Sequence, residues 1–331
     1  MTYSSGGLIE ATDYNGFVST TAGANINATW GTATTSGGYG QTPLSTVSAG
    51  GTVTATQWAT LVNTLSSLGA HTGTTLTSRT APTAGQTITA LAAVNTDITN
   101  CFTNRNNAAT IGSQYTGWTG TSSKTTATGS GSASWTITFT HTVTFGNTTN
   151  LYSFFNAGGI IRIQFGKSST GTVADTQWNS FIGAAGAGGV VAGSINLTGA
   201  AASKTISGTA YTGTTKIGGS GTPTTLATST GVYALTGSPV TIYKQFDSVA
   251  TYTGNYVQVD ASISGAVITL TTTWFSDGGA APGSTDAITG GTALSGVTFG
   301  TAPATLVTYF QPESTNITNT WGTPTIAATT A

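Results

Sequence analysis

Eleven consecutive residues constrain the fold of this chain more than any others. Trp135-Thr-Ile137-Thr-Phe139-Thr-His141-Thr-Val143-Thr-Phe145 alternates unbroken between threonine and a large side chain. A period of two places the aromatic and aliphatic groups on one face of a strand and the threonines on the other. A polar turn, Gly146 to Asn150, is read next, and Leu151-Tyr-Ser-Phe154-Phe155-Asn156-Ala-Gly-Gly leads to a second strand, Ile160 to Phe165. There Arg162 and Gln164 share one face, and Ile161, Ile163 and Phe165 the other. The pair reads as a sheet nucleus with one buried and one wet face. Trp135, Phe139, Phe154, Phe155, Ile161 and Phe165 are its candidate core.

Around this nucleus the chain divides into regions. Residues 1–118 read as a mostly helical attachment or oligomerisation region. A short helix near Thr12 to Val18 is capped by Thr12, with Asp13 in its first turn. A second carries Trp58, Leu61, Val62, Leu65 and Leu68 at helical spacing and stops at Gly69. A third, opened by Thr87 or Thr89, runs through Leu91, Val94, Ile98, Cys101 and Phe102, with Cys101 on its buried face. Residues 119–132 form a linker of Gly, Ser and Thr. From residue 133 to 331 the pattern is that of strands: Thr205 to Tyr211, Val240 to Phe246, Tyr256 to Ile263, Ala266 to Trp274 and Thr305 to Phe310. Ser264-Gly265 forms a tight hairpin turn between two of them, and a short helical insertion lies near 175–185. The expected fold class is α+β by region: a small helical N-terminal part followed by an antiparallel β-sandwich or jelly-roll-like domain.

Two internal echoes stand out. Ile9 to Val18, Val53 to Val62 and Val173 to Ile182 each carry an apolar residue, a threonine, Asp or Gln, a large aromatic (Tyr14, Trp58, Trp178) and an apolar pair. This reads as one helix-start device used three times, with the threonine as cap. The second echo joins Asn25-Ile-Asn-Ala-Thr-Trp30-Gly-Thr-Ala-Thr34 to Asn316-Ile-Thr-Asn-Thr-Trp321-Gly-Thr-Pro-Thr325, with seven of ten positions identical. Trp30 and Trp321 thereby mark candidate assembly segments, docking into similar environments in successive subunits.

Charge excludes several classes of function. Only 5% of the residues are Asp, Glu, Lys or Arg, where about 25% is usual. Eight scattered Lys and Arg cannot neutralise a run of phosphates, which argues against nucleic acid, and they form no polybasic patch for anionic lipid. No apolar run is long enough to span a bilayer, and the start, Met1-Thr-Tyr-Ser-Ser-Gly-Gly, lacks the features of a signal peptide. A surface with so little charge lacks colloidal repulsion, so much of it is expected to be covered by other copies or other proteins. A single cysteine permits no internal disulfide.

Chemistry-bearing patterns are sparse. His71 and His141 fall in different regions without metal-ligand spacing, and His141 occupies the apolar register of its strand. The nine acidic residues are dispersed. Asp277 and Asp286 sit in loops, but a calcium loop concentrates several carboxylates in a short span. The glycine run at 183–189 lacks the lysine of a phosphate loop. No catalytic residue, metal or cofactor is assigned.

The start Met1 to Asn15, the Gly38-Tyr39-Gly40-Gln41 loop, the Val53 to Trp58 helix start and the Phe154-Phe155-Asn156-Ala-Gly158-Gly159-Ile-Ile-Arg162 segment together resemble virion structural proteins of tailed phages, marine cyanophages especially. The resemblance covers most of residues 1–165 and weakens beyond. It implies a non-enzymatic virion protein, tail-associated or fibre-like, made in the host cytoplasm. Its partners would be itself (a homo-oligomer, trimer or higher), other virion proteins and a host surface glycan. Alternatives are a head decoration or neck protein, and a carbohydrate-binding or filament-forming surface protein.

Overall fold

The computed structural model describes residues 10–19, 24–86, 91–115, 134–166, 178, 182, 194–217, 225–248, 252–277 and 304–330. The linker at 119–132 lies outside them, and of the insertion near 175–185 only Trp178 and Ile182 are described, both helical and buried.

Among these residues are five α-helices: α1 (Ala11–Val18), α2 (Ile26–Trp30), α3 (Ala55–Thr72), α4 (Leu91–Thr103) and α5 (Thr148–Asn156). The thirteen strands are β1 (Ile111–Gln114), β2 (Trp135–Thr144), β3 (Ile160–Gly166), β4 (Ser194–Leu197), β5 (Ser203–Ile206), β6 (Thr209–Thr212), β7 (Thr214–Ile217), β8 (Thr225–Leu226), β9 (Val240–Phe246), β10 (Tyr256–Ser264), β11 (Val267–Ser276), β12 (Ala304–Pro312) and β13 (Thr325–Thr330). They form a five-stranded sheet in the order β1-β12-β3-β4-β7, a six-stranded sheet in the order β13-β2-β11-β10-β9-β8, and a small β5-β6 sheet. Every strand pairing is antiparallel. The fold is α+β, a β-sandwich with a short helical N-terminal region.

The alternation in β2 works as its period demands. Trp135, Ile137, Phe139, His141 and Val143 are buried, and the intervening threonines lie half-exposed. The inner faces of the two large sheets meet. Phe165 of β3 stacks on Tyr243 of β9 at 5.4 Å between ring centres, and the Trp274 indole of β11 donates to the Thr305 hydroxyl of β12 at 3.0 Å. At the start of β2, Trp178 lies between Trp135 and Trp274, 5.4 Å from each ring. At the other end, Phe154 of α5 sits between Phe145, just after β2, and Tyr309 of β12, at 5.2 and 5.8 Å.

The structure corrects several local expectations. Residues read as a turn and approach, 148–156, form α5. Asn147 caps it by accepting from the Asn150 amide, and Leu151, Phe154 and Phe155 recur at three-and-four spacing. This helix carries the chain across the sandwich, so β2 and β3 belong to different sheets rather than one nucleus. The wet face expected of β3 is covered too: Gln164 is 1% exposed, and Arg162 is half-buried over the Phe310 ring. The expected threonine caps sit two residues too late. Glu10 caps α1 in a reciprocal box with Asp13, and Thr54 caps α3 in a box with Gln57. The third instance, Thr176, lies outside the described residues. Helix α3 runs past Gly69 and ends at Gly73, whose φ of 70° suits a residue without a Cβ. In the β10–β11 hairpin Ser264 pairs with Val267, so Gly265 and Ala266 make the turn. The strand expected over Thr205 to Tyr211 is the β5-β6 hairpin, turning at Ser207-Gly208.

Helices and sandwich share one continuous apolar core. Its polar clamps are specific. Gln41 receives the Thr318 amide at 3.1 Å and donates to the Thr318 carbonyl at 2.8 Å. The Tyr39 hydroxyl donates to the Arg105 carbonyl at 2.7 Å, and the Thr320 hydroxyl to the Tyr39 carbonyl at 2.7 Å. Flanking Tyr39, Gly38 and Gly40 have φ of 88° and 73°, and a Cβ on Gly40 would run into the Ser153 hydroxyl. Glycine is therefore required for the loop to lie this close to α5. The segment from Asn316 to Trp321 is thus hydrogen-bonded to its own chain, at Thr318 and Thr320. Trp321 is 1% exposed, and β13 follows it to pair with β2.

Candidate functional site

The residues singled out by sequence fall mostly inside. Trp135, Phe139, Phe154, Phe155, Ile161 and Phe165 are all buried. Tyr14 and Trp58 meet in the helical layer, 6.3 Å apart, with Phe17 edge-on to Trp58 at 5.8 Å. Trp178 serves elsewhere, in the three-tryptophan cluster of the sandwich. Trp30 keeps a partly exposed face, its indole donating to the Thr42 carbonyl at 3.1 Å. It lines a groove of about 500 Å³ with Tyr14, Gln41, Pro43, Leu44 and Gln57.

Interior charges are mostly tied to one another. His71, in the last turn of α3, meets Glu313 just beyond β12 with Nδ1 2.7 Å from Oε1. Glu313 also accepts from the Thr315 amide and the Asn316 side chain. The His71 hydrogen bond leads the effects that hold this carboxyl down to about 2, against an opposing push from burial. Asp97 of α4 pairs with Arg79 and accepts the Thr77 amide. Cys101 is buried, and burial first, then nearby Asp97, pushes its thiol up to about 11. That keeps it protonated and unreactive. His141 is buried between the sheets, where desolvation lowers it to about 4 despite a hydrogen bond with the Thr305 backbone. Among the described residues no three His, Cys, Asp or Glu side chains gather into a metal-binding group. Asp277 is among those residues and Asp286 lies outside them.

A cleft of about 210 Å³ lies where the Thr35–Ser36 loop, Arg105–Asn106, the end of α5 and the start of β5 converge, with Tyr233 on one wall. Lys204 is 6% exposed. Its ammonium donates to the Phe155 carbonyl and, at 3.3 Å, to the Asn156 carbonyl. Both carbonyls belong to the C-terminal turn of α5, the end that attracts a cation. Burial pulls this amine down to about 7. The Asn156 side chain donates to the Thr34 and Gly38 carbonyls and accepts from the Tyr233 hydroxyl at 2.9 Å. Sequence reasoning missed this cleft, because its walls come from five separated stretches and Ser203-Lys-Thr-Ile carries no distinguishing pattern.

The outer face of the six-stranded sheet is the second feature. Thr136, Thr138, Thr140 and Thr142 of β2 lie beside Thr269, Thr271 and Thr273 of β11, and Thr325 and Thr329 of β13 extend the array. One end carries an aromatic row across three strands. Tyr256 is 5.4 Å from Phe246 and stacks on Phe275 at 4.9 Å, with the Lys244 ammonium 3.8 Å above the Tyr256 ring. All three rings are half-exposed.

Comparison with known proteins supplies no relative: no family model, no curated protein and no solved structure matches the chain. No described helix is long and apolar enough to cross a membrane.

Proposed function

We propose that this chain is a non-enzymatic structural component of a phage-like virion, a tail-associated or fibre-like appendage that assembles as a homo-oligomer. The observation that carries the assembly part is the outer face of the six-stranded sheet. It is a broad antiparallel surface of threonines on which the charged side chains, among the described residues, are Lys244 and Asp260, the latter bonded to Thr241 and Gln258. β-Branched, uncharged side chains lose little rotamer freedom when covered and leave no ion to desolvate. The placement on a virion rests on the sequence resemblance. A second reading, contact of this face with a glycan, is favoured by the Phe246–Tyr256–Phe275 row, since half-exposed rings offer stacking surfaces beside hydrogen-bonding groups.

Light scattering on the purified chain tests the assembly reading. A discrete oligomer is expected, and the double variant Thr140→Lys/Thr271→Lys is expected to lower affinity between copies by about tenfold or more, because like charges at a pairing face cost upwards of a kcal/mol. Both positions point outward on neighbouring strands, so circular dichroism should be unchanged. A monomer at high concentration in the parent protein removes the reading, and glycan-binding screens then test the second.

A further inference from the structure

Two of the chain's eight basic side chains, Lys204 and Arg105, line the cleft at the end of α5, and none of the described residues lining it with them is acidic. We propose that this cleft binds a small oxyanion, a phosphate or a carboxylate, between the Lys204 ammonium and the Arg105 guanidinium. The inference is independent of the assembly reading.

The geometry supplies what such an ion needs. Lys204 spends two donors on the Phe155 and Asn156 carbonyls, and an ammonium has three. Arg105 donates through Nε to the Ser36 carbonyl at 3.4 Å and through Nη1 to the Phe102 carbonyl at 2.7 Å, with its guanidinium 4.0 Å over the Phe102 ring; among the described residues Nη2 has no hydrogen-bond partner. Among the described residues neither cation forms an ion pair with a carboxylate; the pairs present are His71–Glu313 and Arg79–Asp97. Among the described residues the partners of the nearly buried Lys204 amine are the two carbonyls, and its charged form is costly without a counter-charge. Thr35, Ser36 and Asn106 line the remaining wall, the Ser36 hydroxyl sharing a hydrogen bond with the Thr34 hydroxyl at 3.0 Å. A volume of about 210 Å³ falls below the roughly 300 Å³ at which pockets for drug-sized molecules begin, so the cleft suits an ion rather than a nucleotide or a sugar chain.

The test uses the full chain, titrated calorimetrically with sodium phosphate and, separately, sodium acetate at constant ionic strength, with melting followed in parallel. Saturable binding of either anion and a rise in Tm on its addition are expected. Preference between the two identifies a phosphate or a carboxylate as the natural group. Lys204 also holds the end of α5, so the variants are placed elsewhere. Arg105→Gln should weaken binding about tenfold, the scale of one charge-assisted hydrogen bond. Asn106→Asp puts a carboxylate on the cleft wall and should abolish the response while raising the Tm measured without added anion. Absence of binding to both anions overturns the proposal. So does binding that is unchanged in both variants, which would mark a non-specific ionic effect.

Discussion

Trp274→Ala is expected to destabilise the fold by about 3–5 kcal/mol, the range for removing a large buried aromatic. The ring is fully buried on the inner face of β11, in contact with Trp178, which in turn meets Trp135. It also reaches across the sandwich to the Thr305 hydroxyl. Alanine would therefore open a cavity at the start of β2 and cut an inter-sheet hydrogen bond together. Trp274→Phe separates the two effects. It keeps most of the ring and loses the N–H, so a cost of about 1–2 kcal/mol is expected. Urea denaturation with constant m-value checks both figures. Equal losses in the two variants would show that the hydrogen bond, rather than packing, carries the site.

Glu313→Ala is expected to cost about 1–3 kcal/mol, the scale for leaving a buried hydrogen-bonding group without its partner, here His71 together with the Thr315 amide and the Asn316 side chain. Glu313→Gln retains the shape and should cost less. The same pair shapes the acid limb of stability. Glu313 has a folded value of about 2, below its ordinary 4.5. Its contribution is complete above pH 4.5 and fades as pH falls toward 2. His141 acts in an earlier window. Its folded value is about 4 against an ordinary 6.5, so the unfolded chain takes up this proton first, and stability declines as pH falls from 6.5 to 4. Denaturation midpoints across pH 7 to 2 should show both declines. His141→Leu should flatten the first, and Glu313→Gln the second.

The sandwich was legible where one physical signal acted alone. Strict alternation in β2, β10 and β11 marks strands whose inner side chains fill the core and whose outer ones do not. Legibility failed where two signals competed. The residues forming α5 show helical spacing at Leu151, Phe154 and Phe155 behind an Asn147 cap, but the segment is short and lies between two strong strands. Thr54-x-x-Gln57 is a capping box, overshadowed by the more conspicuous repeat from Val53 to Val62, whose shared threonine is Thr56. The burial of both faces of β3 depends on what the fold lays over it, which β3's own pattern of Arg162 and Gln164 does not encode. The Lys204 cleft is a product of tertiary structure throughout. Its cation sits where a helix ends, and no local pattern links residue 204 to residues 105 and 156.

The hydrogen bonds between Gln41 and Thr318 join residues 277 positions apart. The entropy of closing so long a loop grows only logarithmically with its length, so its equilibrium cost is tolerable. The time needed to find it is another matter, because rates fall as contacts become more distant along the chain. Helices α1 to α4 can form early from local contacts, but their docking waits for residues 313–321 to come into place. Refolding from denaturant should therefore recover helical signal before the burial of Trp321.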